Sequence, residues 1–195
     1  MSGVRQPPDS APKHYPIFNL LQTWGSTRNP ATGAEYSTEA LRAARWAVDV
    51  GLPPHLVLGA LCHNVGHLLL LAGDYSESYL DMGEYRPYLV AGSWLQNVIG
   101  LSKEAADPVR LLLPTLRYRA FAERGYVQNR LSQPERGILE DIGGPMSKGE
   151  ARQLRTHAQH RDGLQLWACL HASKTYATKE EWGVAEALAA AGMPL

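Results

Sequence analysis

The chain has 195 residues, of which 45% are hydrophobic and 19% charged, so it can bury a substantial core and is not expected to be disordered. Nineteen basic side chains balance nineteen acidic ones and no segment carries a basic cluster, which argues against a protein that binds nucleic acid. The longest apolar run, around residues 68–72, is far shorter than the ~20 residues that span a bilayer, so we expect no membrane partner.

The first 14 residues and the two cysteines bear on the compartment. Residues 1–14 are rich in Pro and polar side chains and contain no apolar stretch, so we expect a flexible lead rather than a signal peptide. Cys62 and Cys169 lie in apolar helical patterns, which predicts buried free thiols in a reducing compartment. We therefore expect a cytoplasmic protein with a single domain over residues 15–195.

Two helices are predicted in the first part of that domain. Residues 41–48 place apolar side chains at helical spacing, with Ser37 or Thr38 as the N-cap and Gly51 as the stop. A second, longer helix is predicted to open at Pro53-Pro54, to keep the same spacing through residue 69 and to be closed by Gly73.

The rest of the chain also has helical spacing, and no segment alternates as a half-buried strand would. Pro114 is expected to interrupt one of the segments. Ser147 and Glu150 have the spacing of a capping box, which accounts for the preceding Gly-Gly-Pro stretch without a function. The Ala-rich C-terminal helix is expected to be a packing element or the interface of a homodimer. The predicted segments are 86–99, 104–122, 133–141, 148–157, 162–175 and 179–191, which gives an all-α bundle of about eight helices.

Residues 40–69, which contain the stretch HNVGH, resemble the HD-domain superfamily. In that superfamily a helix bearing a His is followed by a second helix that ends in His-Asp and then Ile-Gly-His. The sequence looks like the branch associated with phosphonate catabolism, whose characterised members are mixed-valent diiron oxygenases that cleave hydroxyphosphonates. The resemblance implies an HD-like helical bundle over roughly residues 15–176. It continues over residues 17–25, 91–96, 107–118, 131–151 and 164–174.

The sequence departs from that pattern at the metal ligands. The resemblance implies His and Asp side chains that hold two iron ions. Its first His position falls on Glu39, and its His-Asp pair is His63 followed by Asn64, whose neutral amide is a weaker ligand than a carboxylate. We therefore expect no metal and no other cofactor, and neither diiron oxygenase nor HD phosphohydrolase chemistry. The other expected ligands and a nearby Lys fall on Pro87 or Tyr88, Leu112, Leu116, and Leu170 with His171.

Loss of the metal would leave an apolar cavity with a few polar groups, which is the usual composition of a small-molecule site. Glu39 and His63 are the candidate catalytic residues, because a Glu beside a His can act as a general acid–base pair. His67, four residues after His63, lies on the same helix face. The candidate substrate-binding residues are Asn64, His67, Tyr85, Tyr88, Trp94, Leu112, Arg117 and His171.

Each candidate also has a structural interpretation. The two histidines of that helix face could be packed residues kept from an ancestral site, and Glu39 could face solvent. Arg117 could bind an anionic group of the substrate or lie on the surface, and the aromatic side chains could belong to the core. His157 and His160 form an H-x-x-H pair among charged neighbours, which favours a surface role.

Three functions remain open. The one we favour is a metal-independent enzyme of biosynthesis that acts on a bulky, hydrophobic small molecule by acid–base or preorganisation chemistry. Such an enzyme would be an isomerase, cyclase or lyase, which includes hydration and elimination. The second is a pseudoenzyme that binds a ligand or regulates a partner protein. The third is a hydrolase or oxygenase with one residual metal ion, in which Glu39 replaces the lost His.

Overall fold

The structure, a computed structural model, describes residues 15–75, 81, 83, 85–176 and 182–193. It confirms the all-α fold, since the described residues form helices and their only strand-like pairing is an isolated bridge between Arg28 and Glu35. Twelve helices lie in this part of the chain, four more than predicted. The predicted segments 54–69 and 104–122 each form two helices, and further helices lie at residues 15–24 and 126–130. The predicted lead lies outside the described residues, and the single domain stays a prediction.

In chain order the helices are α1 Tyr15–Trp24, α2 Tyr36–Asp49, α3 Pro54–Cys62, α4 Val65–Ala72, α5 Arg86–Asn97, α6 Lys103–Arg110, α7 Leu112–Ala122, α8 Tyr126–Arg130, α9 Gln133–Asp141, α10 Lys148–Arg155, α11 His160–Ser173 and α12 Val184–Ala190. Helix α11 contacts α2, α3, α6 and α7. Further contacts join α2 to α3, α4 to α5, and α5 to α6.

The long helix predicted over residues 54–69 is divided at His63 and Asn64. Helix α3 ends before these residues and α4 begins after them, so two polar side chains lie between two largely buried apolar helices. Among the described residues, the stretch Pro54–Ala72 is long and apolar enough to cross a membrane, but 67% of its most apolar window is buried inside the fold. The stretch is therefore part of the protein core.

The predicted segment over residues 104–122 is divided at Leu111. Pro114 is the third residue of α7, where its missing N–H costs no helical hydrogen bond, so the break precedes the proline. The predicted capping box of α10 is confirmed. The Glu150 N–H donates to Ser147 Oγ at 3.2 Å, and the Ser147 N–H donates to Glu150 Oε2 at 2.7 Å.

The predicted N-cap of α2 at Ser37 or Thr38 is wrong. The helix begins at Tyr36, because the Tyr36 N–H donates to the Thr27 carbonyl and the adjacent bridge fixes the preceding residue. At the other end the stop is confirmed. Gly51 adopts a left-handed φ of 73° and donates its N–H to the Val48 carbonyl.

The two cysteines are buried free thiols in the core, as predicted. Burial raises the pKa of both thiols to about 12, so neither is a thiolate at neutral pH. Cys169 lies on α11 against α2, with its Sγ 3.4 Å from the Ala43 carbonyl oxygen. Helices α2 and α11, which carry Glu39 and His171 respectively, are therefore joined by core packing.

Gly66, in the first turn of α4, allows the backbone of α5 to pass unusually close. A Cβ added at this position would lie 1.6 Å from the carbonyl oxygen of Pro87. Because the obstacle is backbone and not a flexible side chain, the two helices could not keep this separation with any larger residue. The same close approach of α4 and α5 places the ring centroids of His67 and Tyr88 5.8 Å apart.

We predict that Gly66→Ala lowers the free energy of unfolding by about 3 kcal/mol or more, because α4 and α5 must separate. The matched control is Gly137→Ala in α9, where an added Cβ meets no atom within 4 Å. There the exchange should be neutral or stabilising by up to about 1 kcal/mol, from helix propensity. Urea denaturation measures both, and equal stabilities of the two variants would contradict the prediction.

Candidate functional site

A cavity of about 190 Å³ lies among α2, the junction of α3 with α4, and helices α7, α9 and α11. Two clusters stand out among its polar side chains, and we name them by their carboxylates: the Glu39 cluster with Asn29 and Asn64, and the Glu135 cluster with His171 and Lys174. The apolar part of the wall consists of Leu113, Leu116, Ile138, Trp167 and Leu170.

In the Glu39 cluster, two side-chain amides hold one carboxylate oxygen. Glu39 Oε2 accepts a hydrogen bond from Asn29 Nδ2 at 3.0 Å and another from Asn64 Nδ2 at 3.2 Å. Asn29 is itself oriented by the Ala31 N–H, which donates to Asn29 Oδ1 at 3.0 Å. In the described part of the chain, no cationic side chain forms an ion pair with Glu39, and its side-chain partners are the two amides.

Three different parts of the fold supply this cluster. Glu39 lies in the first turn of α2, where the helix dipole favours a negative charge. Asn64 immediately precedes α4, and Asn29 lies in the connection between α1 and α2. The cluster therefore depends on tertiary packing and not on local sequence.

His63 presents a defined tautomer. Its Nδ1 lies 2.7 Å from the Ala60 carbonyl oxygen, which can only accept, so Nδ1 carries the proton and Nε2 is the acceptor of the neutral ring. Burial lowers the pKa of His63 and the charge of Lys174 lowers it further; together they outweigh the Ala60 hydrogen bond and the Glu39 charge, which raise it. The imidazole is therefore neutral at pH 7 and able to accept a proton.

His67 is packed between two tyrosines. Its ring stacks on Tyr36 at a centroid distance of 5.6 Å and an interplanar angle of 17°, and it meets Tyr88 edge-on. Burial lowers the pKa of His67 to about 4, with a further lowering from the charge of His63 and an opposing effect of Glu39. His67 is thus a neutral aromatic part of the cavity wall.

The Glu135 cluster joins α9 to α11. Glu135 Oε1 accepts a hydrogen bond from Lys174 Nζ at 2.6 Å, and Oε2 accepts from the Ser132 N–H at 2.8 Å. His171 Nε2 lies 3.0 Å from Oε1, at ion-pair distance but outside hydrogen-bond geometry. Burial alone would raise the pKa of Glu135, but the contacts with His171, Lys174 and Ser132 outweigh it and hold the pKa well below its usual range.

The structure brings six of the ten predicted site residues to the cavity and leaves four outside it. Those at the cavity are Glu39, His63, Asn64, His67, Tyr88 and His171, and those outside it are Tyr85, Trp94, Leu112 and Arg117. The catalytic and binding roles of the first group stay predictions.

The residues outside the cavity have structural contacts. Leu112 is fully buried in the core, whereas the cavity wall uses Leu113 and Leu116 of the same helix. Arg117 joins α7 to α10, since its Nη1 lies 2.8 Å from Glu150 Oε1 and its Nε donates to the Gly144 carbonyl. The remaining two, Tyr85 and Trp94, pack in or against the core.

Sequence reasoning did not find several polar residues of the cavity, among them Asn29, Arg42, Ser132, Glu135 and Lys174. Ser132 and Glu135 have the Ser-x-x-Glu spacing of a capping box. This spacing accounts for both residues as a helix N-terminus, so it does not indicate that the Glu135 carboxylate also lines the cavity. Two of these residues could have been predicted from the sequence. Lys174 is the last residue of the segment 164–174, which resembles the HD branch, and Arg42 lies one helical turn after the candidate residue Glu39. Asn29 lies in a connection without a pattern, so no sequence signal indicates it.

The resemblance implies two iron ions at this position, and the residues present do not fit such a centre. Asn64 stands at the position of the Asp and donates its amide to Glu39. His63 has one ring nitrogen engaged by the Ala60 carbonyl. Among the described residues, no group of three or more His, Cys, Asp or Glu side chains is arranged to hold a metal ion.

We predict that the packed, neutral His67 makes stability depend on pH. As the pH falls, the His67 imidazole of the unfolded chain, with a pKa of 6.5, takes up a proton before that of the folded protein, whose pKa is about 4. The contribution of His67 to the free energy of unfolding is therefore fully present above pH 6.5 and decreases as the pH falls towards 4. Between pH 7 and pH 5 this amounts to about 2 kcal/mol. Urea denaturation of wild type and His67→Phe measures it, and an equal loss in the two proteins would contradict the prediction.

No family model matches the chain. Over 157 residues the sequence is 23% identical to a hydroxymethylphosphonate dioxygenase of Gimesia maris, and the match covers 77% of this chain and 72% of that protein. The similarity agrees with the resemblance to the phosphonate-associated HD branch. It supports a distant relationship to an HD-domain oxygenase.

Proposed function

We propose that the protein is a metal-independent enzyme that acts on a small, largely apolar molecule by acid–base chemistry, with Glu39 and His63 as its catalytic residues. One observation carries this proposal: a single cavity contains a carboxylate with no cationic partner among the described residues and a neutral imidazole of defined tautomer. A carboxylate and a neutral imidazole in one cavity are the groups that proton transfer requires.

The proposed step begins with His63 Nε2, which accepts a proton from the substrate. The negative charge of Glu39 stabilises the imidazolium that forms, as its effect on the pKa of His63 indicates. The imidazolium then returns the proton to another atom of the substrate, so an isomerisation needs no oxidant and no second reactant. Asn29 and Asn64 keep the carboxylate oriented during the step.

The size of the cavity favours a small substrate. At about 190 Å³ it is below the roughly 300–1,000 Å³ of pockets for drug-sized ligands, so the substrate would be smaller than the bulky molecule that the sequence suggested. Leu113, Leu116 and Leu170 would contact its apolar part. An isomerase or lyase acting on such a molecule is the reaction class we favour.

The alternative is a pseudoenzyme that binds a ligand without turnover. It is favoured by the packing of His67 between Tyr36 and Tyr88, which gives that histidine a role in the wall alone. The proposals of a cytoplasmic location and of a homodimer rest on the buried free thiols and on the Ala-rich C-terminal helix.

We predict that His63→Ala lowers kcat by about 10²–10⁴, the usual range for loss of a general acid or base. Glu39→Gln should also lower kcat, because the imidazolium loses the negative charge that stabilises it. The assay follows consumption of a panel of small hydroxy and carbonyl compounds by proton NMR, with and without EDTA. Glu140→Gln, an exposed carboxylate on α9 outside the cavity, is the matched control. Turnover that both cavity variants retain, or that EDTA abolishes, would contradict the proposal, and binding without turnover would favour the pseudoenzyme.

A further inference from the structure

Arg42 lines the cavity without a partner for its charge. It lies one turn after Glu39 on α2, and its Nε atom is buried without a hydrogen-bond partner. Within the described ranges, no carboxylate lies at ion-pair distance from its guanidinium. Other arginines of the fold are paired, as Arg110 is with Asp107 and Arg119 is with Glu123. A guanidinium that lines a cavity and has no carboxylate partner among the described residues can bind an anionic ligand there.

We infer that the cavity binds a small organic acid, with its carboxylate against Arg42. The two terminal nitrogens of a guanidinium form a planar fork, spaced to donate two parallel hydrogen bonds to the two oxygens of a carboxylate. Because Nε of Arg42 is buried, a ligand in the cavity would meet this terminal fork.

Lys174 adds positive charge to the same cavity. Its Nζ donates to Glu135 Oε1, and an ammonium group has two further N–H donors. The Glu135 carboxylate is already bonded by Lys174 and Ser132, so its charge is largely compensated. Of the two carboxylates, that of Glu39 is the one that would repel an acidic ligand, and the positive charges of Arg42 and Lys174 would offset this repulsion.

The rest of the cavity fits the carbon skeleton of such an acid. Leu113, Leu116 and Leu170 give an apolar wall, and the volume admits a small ring or a short branched chain. This inference rests on the proposed function, because it names the substrate class of the same cavity. It concerns binding, so it can be tested without turnover.

The experiment measures the binding of benzoate and of its neutral analogue benzamide by saturation-transfer NMR and calorimetry. We expect benzoate to bind the wild type, and Arg42→Gln to raise its Kd about tenfold to a hundredfold, since the lost hydrogen bonds involve two charged groups. Arg42→Lys, which keeps the charge but not the planar fork, should bind less tightly than the wild type. The matched control is Arg45→Gln on the same helix, because Arg45 pairs with Asp49 and does not line the cavity.

Melting temperatures within a few degrees of wild type would show that the variants are folded. The inference is overturned if benzoate does not bind the wild type, if Arg42→Gln binds it equally well, or if benzamide binds as tightly. It is also overturned if methylphosphonate or inorganic phosphate binds in place of benzoate with the same dependence on Arg42. Glu39→Gln separates the two proposals, because it should lower turnover and leave benzoate binding intact or stronger.

Discussion

The hydrogen bonds from Asn29 and Asn64 to Glu39 are the interaction on which the site depends. They join the connection between α1 and α2, the first turn of α2, and the junction of α3 with α4. In the HD branch that the sequence resembles, a His and an Asp at the positions of Glu39 and Asn64 would be joined through metal. Here a carboxylate and an amide at the same positions bond directly.

The two substitutions are physically coupled. A Glu at position 39 facing an Asp at position 64 would place two carboxylates within hydrogen-bond distance, which is unfavourable without a cation between them. Asn64 removes one charge and supplies a donor, so the pair Glu39–Asn64 is self-consistent where either change alone would not be.

The two carboxylates of the cavity then differ in what they can do. Glu135 is bonded by Lys174 and by Ser132 and holds α9 against α11, so it is structural. Glu39 is held by amides alone and keeps its negative charge available to His63 and to a ligand. The chemistry that we propose therefore belongs to the Glu39 cluster, while the Glu135 cluster and Arg42 shape what can bind.

The sequence predicts the parts of this structure that depend on local spacing. Helical periodicity, the Ser147–Glu150 capping box and the Gly51 stop are local, and the stretch HNVGH brings His63, Asn64 and His67 together within one helix junction. The rotation of α7 against α11 decides which of its leucines line the cavity. Helical periodicity alone could not show that Leu113 and Leu116 line the cavity while Leu112 lies in the core. Asn29 reaches Glu39 from an irregular connection, which no pattern anticipates.

The most direct test of a site held by hydrogen bonds and not by metal is the metal content of the purified, tag-free protein. The protein would be produced with and without added iron or zinc, and its melting temperature measured in each metal. We predict far less than one metal ion per chain and no change in melting temperature. Near-stoichiometric metal that is lost in His63→Ala would contradict this interpretation and would return the site to metal-dependent hydrolysis or oxidation.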